Sequence, residues 1–300
     1  MAYTEILYDV KDGVATITLN RPEKMNAMNW KQVHDMVDAL DRVDADDDVR
    51  VVVITGAGRA FCAGADLSAG AAAFDYDAKA AGANSPVRPD GSIDYDHESV
   101  RDGGGVLTLR LFECKKPIIA AVNGAAVGAG ATMQLAMDFR LASENAKFGF
   151  VFARRGIVPE SASAWFLPRI VGIAQALEWC CTGRIFPASE ALAGGLVRSV
   201  HAPEDLLPAA YALAREIADN TAPVSIALTR QMLWRGLGWD HPMEAHRIDS
   251  WAVYARGRTA DAKEGVTSFL EKRTPQYPDK VSTGLPDFYP WWSDRNYRRS

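Results

Sequence analysis

Two glycine-spaced segments carry the chemistry this chain can offer, FCAGADL at 61–67 and NGAAVGAGATM at 123–133. Each follows an apolar run, VVVITG at 51–56 and PIIAAV at 117–122. Such runs predict strands covered on both faces, and the glycines after them predict turns too tight for bulky side chains. Two turns of this kind, each leading toward a helix, can aim two main-chain N–H groups at one point. A fixed pair of N–H donors suits an oxygen that gains negative charge during a reaction. The pattern therefore predicts an enzyme acting on an activated carbonyl. For any single glycine, plain turn chemistry is the alternative reading.

Other chemistries fit less well. GAG at 56–58 is followed by Phe61 where a GxGxxG fingerprint needs its third glycine, and NGAAVGAG has the wrong spacing, so a dinucleotide site is not expected. No cluster has metal-ligand spacing, and no GxSxG elbow is present. A net charge of −5 argues against a nucleic-acid partner, which would ask for a basic face. The 48% hydrophobic and 24% charged content is that of an ordinary soluble globular chain. Cys62, Cys114, Cys180 and Cys181 show no CxxC and no paired framework, which fits a reducing cytosol. MAYTEILYDV has neither a basic nor an apolar leader region, and no stretch approaches the ~20 apolar residues of a membrane span. A cytoplasmic protein without a membrane partner is the expectation.

The elements that must hold the two turns can be read from periodicity. Residues 6–10 and 14–19 predict a hairpin around Lys11-Asp12-Gly13, and Asn29 is a candidate N-cap for an amphipathic helix over 30–43. Strands are expected at 51–55, 118–122 and 140–143, with a helix over 131–137. Residues 68–105 are rich in alanine, glycine and aspartate, with Pro86, Pro89 and the run Gly103-Gly104-Gly105. They predict a long mobile insertion, after which helical spacing returns over 106–112. Strand–helix alternation runs to about residue 200, and then helices are expected at 203–218, 223–237, 242–254 and 261–271. The division expected is an α/β core over 1–205, a helical region over 206–280 and a tail over 281–300. That tail carries Phe288, Tyr289, Trp291 and Trp292 and should dock on the body or on a neighbouring subunit.

As a set, NRPEKMNAM, VVVITGAGRAFCAGADL, KKPIIAAVNGAAVGAGATMQLAMDFRLASENAKFGF, RRGIVPE, LPRIVG, TGRIFPASEALAGGLV and EGVTSFLEKR resemble the crotonase (enoyl-CoA hydratase/isomerase) superfamily. They stand in family order from about residue 5 to about residue 280. The resemblance implies a ββα spiral followed by a helical region that builds trimers, often dimers of trimers. It implies acyl-CoA thioester substrates, with coenzyme A as the carrier part of the substrate and no separate cofactor, and an enolate intermediate. It places the oxyanion hole on the N–H groups of Ala65 and Ala129. The family usually has glycine at position 129, and alanine keeps the donor if its φ is negative. Arg59, Ala63, Asp66 and Leu67 match positions at the adenine–phosphate end of coenzyme A. Lys24 and Lys272 match basic positions there, Lys272 reaching across a subunit boundary. For each of these charges, a solvated surface residue is the alternative.

The resemblance also bears on acid–base chemistry. The two glutamates of the family's hydratases fall here on Thr132 and Phe152, neither of which is a base near neutral pH. Glu160, in RRGIVPE, matches the single catalytic glutamate of peroxisomal-type Δ3,Δ2-enoyl-CoA isomerases. One carboxylate suffices there: it takes a proton from C2 and returns it to C4. A pocket lined by Phe152, Trp165 and Phe166 would raise its pKa by desolvation. Alternatively, Glu160 caps the next helix or pairs with Arg154 or Arg155. Asp138 is expected to be a structural acceptor. Isomerisation is the favoured expectation. Hydration, thioester hydrolysis, decarboxylation and a catalytically silent acyl-CoA-binding protein are the alternatives.

Overall fold

The computed structural model describes residues 3–75 and 85–298. Strands β1 (Ile6–Lys11) and β2 (Val14–Leu19) pair as the expected hairpin, turning at Asp12 and Gly13, both at positive φ. β2 then pairs in parallel with β3 (Val51–Gly56), which pairs with β5 (Ile118–Val122), then β7 (Phe139–Ser143), then β10 (Ser199–His201). A second sheet has the order β4 (Ala60–Cys62), β6 (Ala125–Val127), β8 (Lys147–Gly149), β9 (Ile185–Pro187). Each of β3, β5 and β7 hands the chain to a short strand of the second sheet, and this repeat makes the two glycine turns neighbours.

The unbroken apolar runs have a physical reason. Side chains alternate faces along a strand, and both faces of the large sheet are covered. Val52, Ile54, Ile118 and Ala120 enter one core, which also takes Val33, Met36, Leu40 and Val43 of α1 (Trp30–Ala45). Val51, Val53, Ile119 and Ala121 enter the other, against Leu206, Ala210 and Ala214 of α7 (Leu206–Asn220). Asn29 caps α1 by accepting from the Gln32 N–H at 2.7 Å.

The remaining helices are α2 (Gly103–Glu113), α3 (Ala129–Thr132), α4 (Ser163–Val171), α5 (Ile173–Thr182) and α6 (Ala188–Ala193). After α7 come α8 (Pro223–Gly236), α9 (Pro242–Arg256), α10 (Ala260–Glu271) and α11 (Val281–Gly284). Two expectations change. The helix expected over 131–137 starts at Ala129 and continues after Thr132 as a 3-10 turn, Met133–Ala136. The three-glycine run is not loop: it opens α2, capped by Asp102. Elsewhere in 68–105, 76–84 lie outside the described residues. The rest holds 3-10 turns at Gly70–Ala72 and Glu98–Val100 and a bridge between Val87 and Ile93.

The tail contacts the body of its own chain. Ser282 donates to Asp47 through its N–H and its hydroxyl, Arg235 stacks over the Trp292 ring at 3.3 Å, and the Tyr297 hydroxyl donates to the Tyr95 carbonyl.

Candidate active site

The first glycine turn is built against the second. Gly64 has φ +114°, and a Cβ there would lie 3.1 Å from the Val127 carbonyl oxygen. Gly128 combines φ 54° with ψ −123°, a region that excludes residues with a Cβ. Asn123 ties the turns' roots together, accepting from the Gly56 N–H and donating to the Gly58 carbonyl, both at 3.0 Å. The NRPEKMNAM loop holds the outer side. The Met28 N–H donates to the Gly64 carbonyl, and the Asp66 N–H donates back to the Met28 carbonyl. These bonds pass over Ala65, leaving its N–H unused. Ala129 is the first residue of α3, where an N–H has no intrahelical partner. Among the described residues neither the Ala65 nor the Ala129 N–H donates to an acceptor. Ala129 is helical and is not among the residues at positive φ, so the alanine keeps a usable donor.

Glu160 follows β8 in the segment leading to α4. Its Oε1 accepts from the Thr132 hydroxyl at 2.5 Å, and its Oε2 accepts from the Ser161 hydroxyl. Thr132 stands three residues after Ala129 on α3, ~5 Å along the helix axis at 1.5 Å per residue. Thr132, which fills a hydratase glutamate position in the resemblance, thus anchors the remaining carboxylate beside the second turn. The alternatives for Glu160 are not what the structure shows. Arg154 donates to the Thr182 carbonyl, Arg155 to the Arg154 carbonyl, and α4 begins at Ser163, after Ala162, without a side-chain cap.

Burial is the largest influence on the Glu160 carboxyl, and it raises the pKa. The hydrogen bonds from Ser161 and Thr132 oppose it, while the nearby Asp102 carboxylate adds to it, and the result is about 7. Phe166 is buried and packs with Trp165, Phe112 and Trp234, and Phe152 belongs to the same core. Cys62, beneath the first turn, is pushed up to about 11, chiefly by burial and in part by the Glu160 charge.

The residues matched to coenzyme A divide. Lys24 and Arg59 are exposed on adjoining loops, Arg59 Nε lying 2.8 Å from Met25 Sδ. Ala63 donates to the Met25 carbonyl, and Leu67 is half exposed. Asp66 is occupied: Ser68 and Arg21 hold its carboxyl down at about 2, with an Arg21–Asp66 ion pair at 2.8 Å. Lys272 caps the end of α10 in a left-handed conformation, φ 56°. The side-chain bonds of α10 run to Arg256, Arg273, Gln276 and Asp279, and among the described residues no hydrogen bond or ion pair joins Lys272 to the two turns. Asp138 is the structural acceptor expected, taking bonds from the Ile118 N–H, Arg230 and Trp234.

Sequence reasoning missed Asp102, Ser161, Arg21 and Asn26. Asn26 is fully buried and donates to the Ala57 and Ala60 carbonyls. Asp102 had a signal: an N-cap residue before a helical period, followed by three glycines that weaken a helix unless something must come close. Ser161 had none.

A family model described as enoyl-CoA hydratase/isomerase matches residues 9–280. The chain belongs to the enoyl-CoA hydratase/isomerase family. It is 41% identical over 271 residues to an enoyl-CoA hydratase of Alternaria alternata, covering 90% of this chain and 84% of that one. It is 36% identical over 282 residues to the 1,2-epoxyphenylacetyl-CoA isomerase of Escherichia coli, covering 92% and 98%. The crystal structure of an enoyl-CoA hydratase from Bacillus anthracis superposes with a TM-score of 0.79 at 30% identity, over 93% of this chain and all of that one. The mixed α/β architecture with its helical C-terminal region is the crotonase fold, and the protein is an enzyme of this family.

Proposed function

We propose that this enzyme isomerises the double bond of 3-enoyl-CoA thioesters to the 2-position, with Glu160 as the one proton carrier. The observation that carries the reading is the partly buried Glu160 carboxyl on Thr132, about one helical turn from Ala129, with its pKa raised to about 7. The thioester oxygen would accept from the Ala65 and Ala129 N–H groups. Glu160 takes a C2 proton, the electron pair spreads over C2, C4 and the oxygen, and the same carboxyl returns the proton to C4. A group poised near the working pH both takes and gives a proton readily. Two fixed donors in a site closed to water can contribute several kcal/mol to a transition state of this type. Lys24, Arg59, Ala63 and Leu67 are assigned to the coenzyme A end, and Lys272 to that of a neighbouring subunit. Asp66 is assigned to holding the loop through Arg21.

A second reading has one observation in its favour. Asp102 lies beside Glu160 and supplies a second carboxylate, and hydration in this family uses two. Asp102 is engaged by two backbone N–H groups, from Gly105 and Ser161, which suits a fixed charge better than a group that handles water. Assay of the purified protein with a 3-enoyl-CoA and with crotonyl-CoA separates the two. The proposal expects turnover of the first to exceed hydration of the second, and the reverse order sinks it.

Assembly and location follow the same reading. No helix among the described residues is long and apolar enough to cross a membrane, and the four cysteines are free. We infer a cytoplasmic homotrimer or dimer of trimers, held through the apolar side chains that α9 and α10 expose.

A further inference from the structure

Ser161 and Ala162 are consecutive non-glycine residues at positive φ, 58° and 51°. Such conformations are unfavourable for a residue with a Cβ and persist only where the surroundings enforce them. Ser161 is fully buried and joins two carboxylates. Its N–H donates to Asp102 Oδ1 at 3.2 Å, and its hydroxyl donates to Glu160 Oε2. The same Asp102 oxygen also accepts from the Gly105 N–H, 2.5 Å away at the start of α2. The close approach depends on Gly104, where a Cβ would land on the Glu160 carboxylate and on the Ser161 hydroxyl. Three elements therefore converge on Glu160: α2 with Asp102, α3 with Thr132, and its own strained turn with Ser161.

We propose that Asp102 and Ser161 are positioning residues that set the proton affinity of Glu160 from opposite sides. Asp102 is a fixed negative charge that favours the protonated carboxyl. Ser161 is a donor that favours the ionised one. The proposal rests on the reading of Glu160 as the proton carrier, because a carboxyl that must both take and return one proton needs neither form to dominate. The other groups facing it are the Thr132 hydroxyl from α3 and the Cys62 thiol from β4, which its burial keeps protonated at ordinary pH. Among the described residues no lysine, arginine or histidine bonds to it.

The test is the pH profile of kcat/KM for a 3-enoyl-CoA, measured on the intact protein and on Asp102→Asn, Ser161→Gly and Glu160→Gln. Asparagine caps a helix as well as aspartate does, and glycine adopts φ 58° without strain, so neither substitution need unfold the chain. Thermal melts check this, and each profile is informative alone if the other variant is lost. The wild-type acidic limb is expected near the Glu160 value of about 7. In Asp102→Asn it moves to lower pH, and in Ser161→Gly to higher pH. Limbs that stay put, or move the same way, overturn the proposal, since a merely structural role lowers rates without opposite displacements. Full activity in Glu160→Gln instead overturns the proposed function itself.

Discussion

Glu160 moves from the ordinary 4.5 to about 7, with burial the largest cause, and this shift has a consequence for stability. Below pH 4.5 the carboxyl is protonated in folded and unfolded chains alike. Between 4.5 and 7 the unfolded chain ionises while the folded one keeps its proton, so stability falls as pH rises through that window. The loss is complete above about 7 and is on the order of 3 kcal/mol. Glu160→Gln removes the titration. Urea unfolding at pH 8 should therefore show the variant more stable than wild type by a few kcal/mol, with the gap closing near pH 4. The same pH dependence in both proteins would contradict the burial of this group. Of the three polar side chains that act on it, Thr132, Ser161 and Asp102, only Thr132 was named from the sequence, as the site of a missing glutamate.

At the scale of elements, the two turns were legible because their strands are short, β-branched and buried on both faces, a pattern that leaves little choice of structure. The start of α2 was not legible. Alanine, glycine and aspartate dominate 68–105, and composition of that kind hides a helix start whose glycines serve tertiary contact rather than flexibility. Gly104→Ala separates the two meanings. On propensity alone the substitution stabilises the helix by ~1 kcal/mol. Here its Cβ meets the Glu160 carboxylate, and displacement of a reacting group by about 1 Å can cost 10²-fold. A folded variant with kcat down by about that factor is expected. A more stable variant with full activity would show that the approach of α2 to Glu160 does not matter.

At the scale of the whole molecule, the core is closed and the C-terminal helices are not. Phe269 is 81% exposed and Leu270 73% on α10, with Val253 at 72% and Tyr254 at 70% on α9. An apolar surface of this kind on a well-packed chain marks an interface, and it bears on the site because Lys272 lies at the end of α10. Light scattering is expected to give three or six times 32.6 kDa, and Phe269→Asp to lower it. A wild-type monomer would contradict the assembly and leave Lys272 without a role. The sequence could name Lys272 but not place it, since in the proposed assembly it acts on a neighbour, and such a role leaves no trace in its own chain's packing. The tail was half legible: its aromatics announced a docked segment, and its contacts with Arg235 and Asp47 are set by the fold.

In the proposed reaction one carboxyl, Glu160, carries a proton from C2 to C4 while the two turns hold the enolate. This transfer is tested most directly with a 3-enoyl-CoA bearing deuterium at C2, turned over by wild type and by Glu160→Gln. Deuterium at C4 of the 2-enoyl product is expected in wild type, with a rate at least ~10²-fold lower in the variant. Product without deuterium at C4, formed as fast by the variant as by wild type, would contradict it.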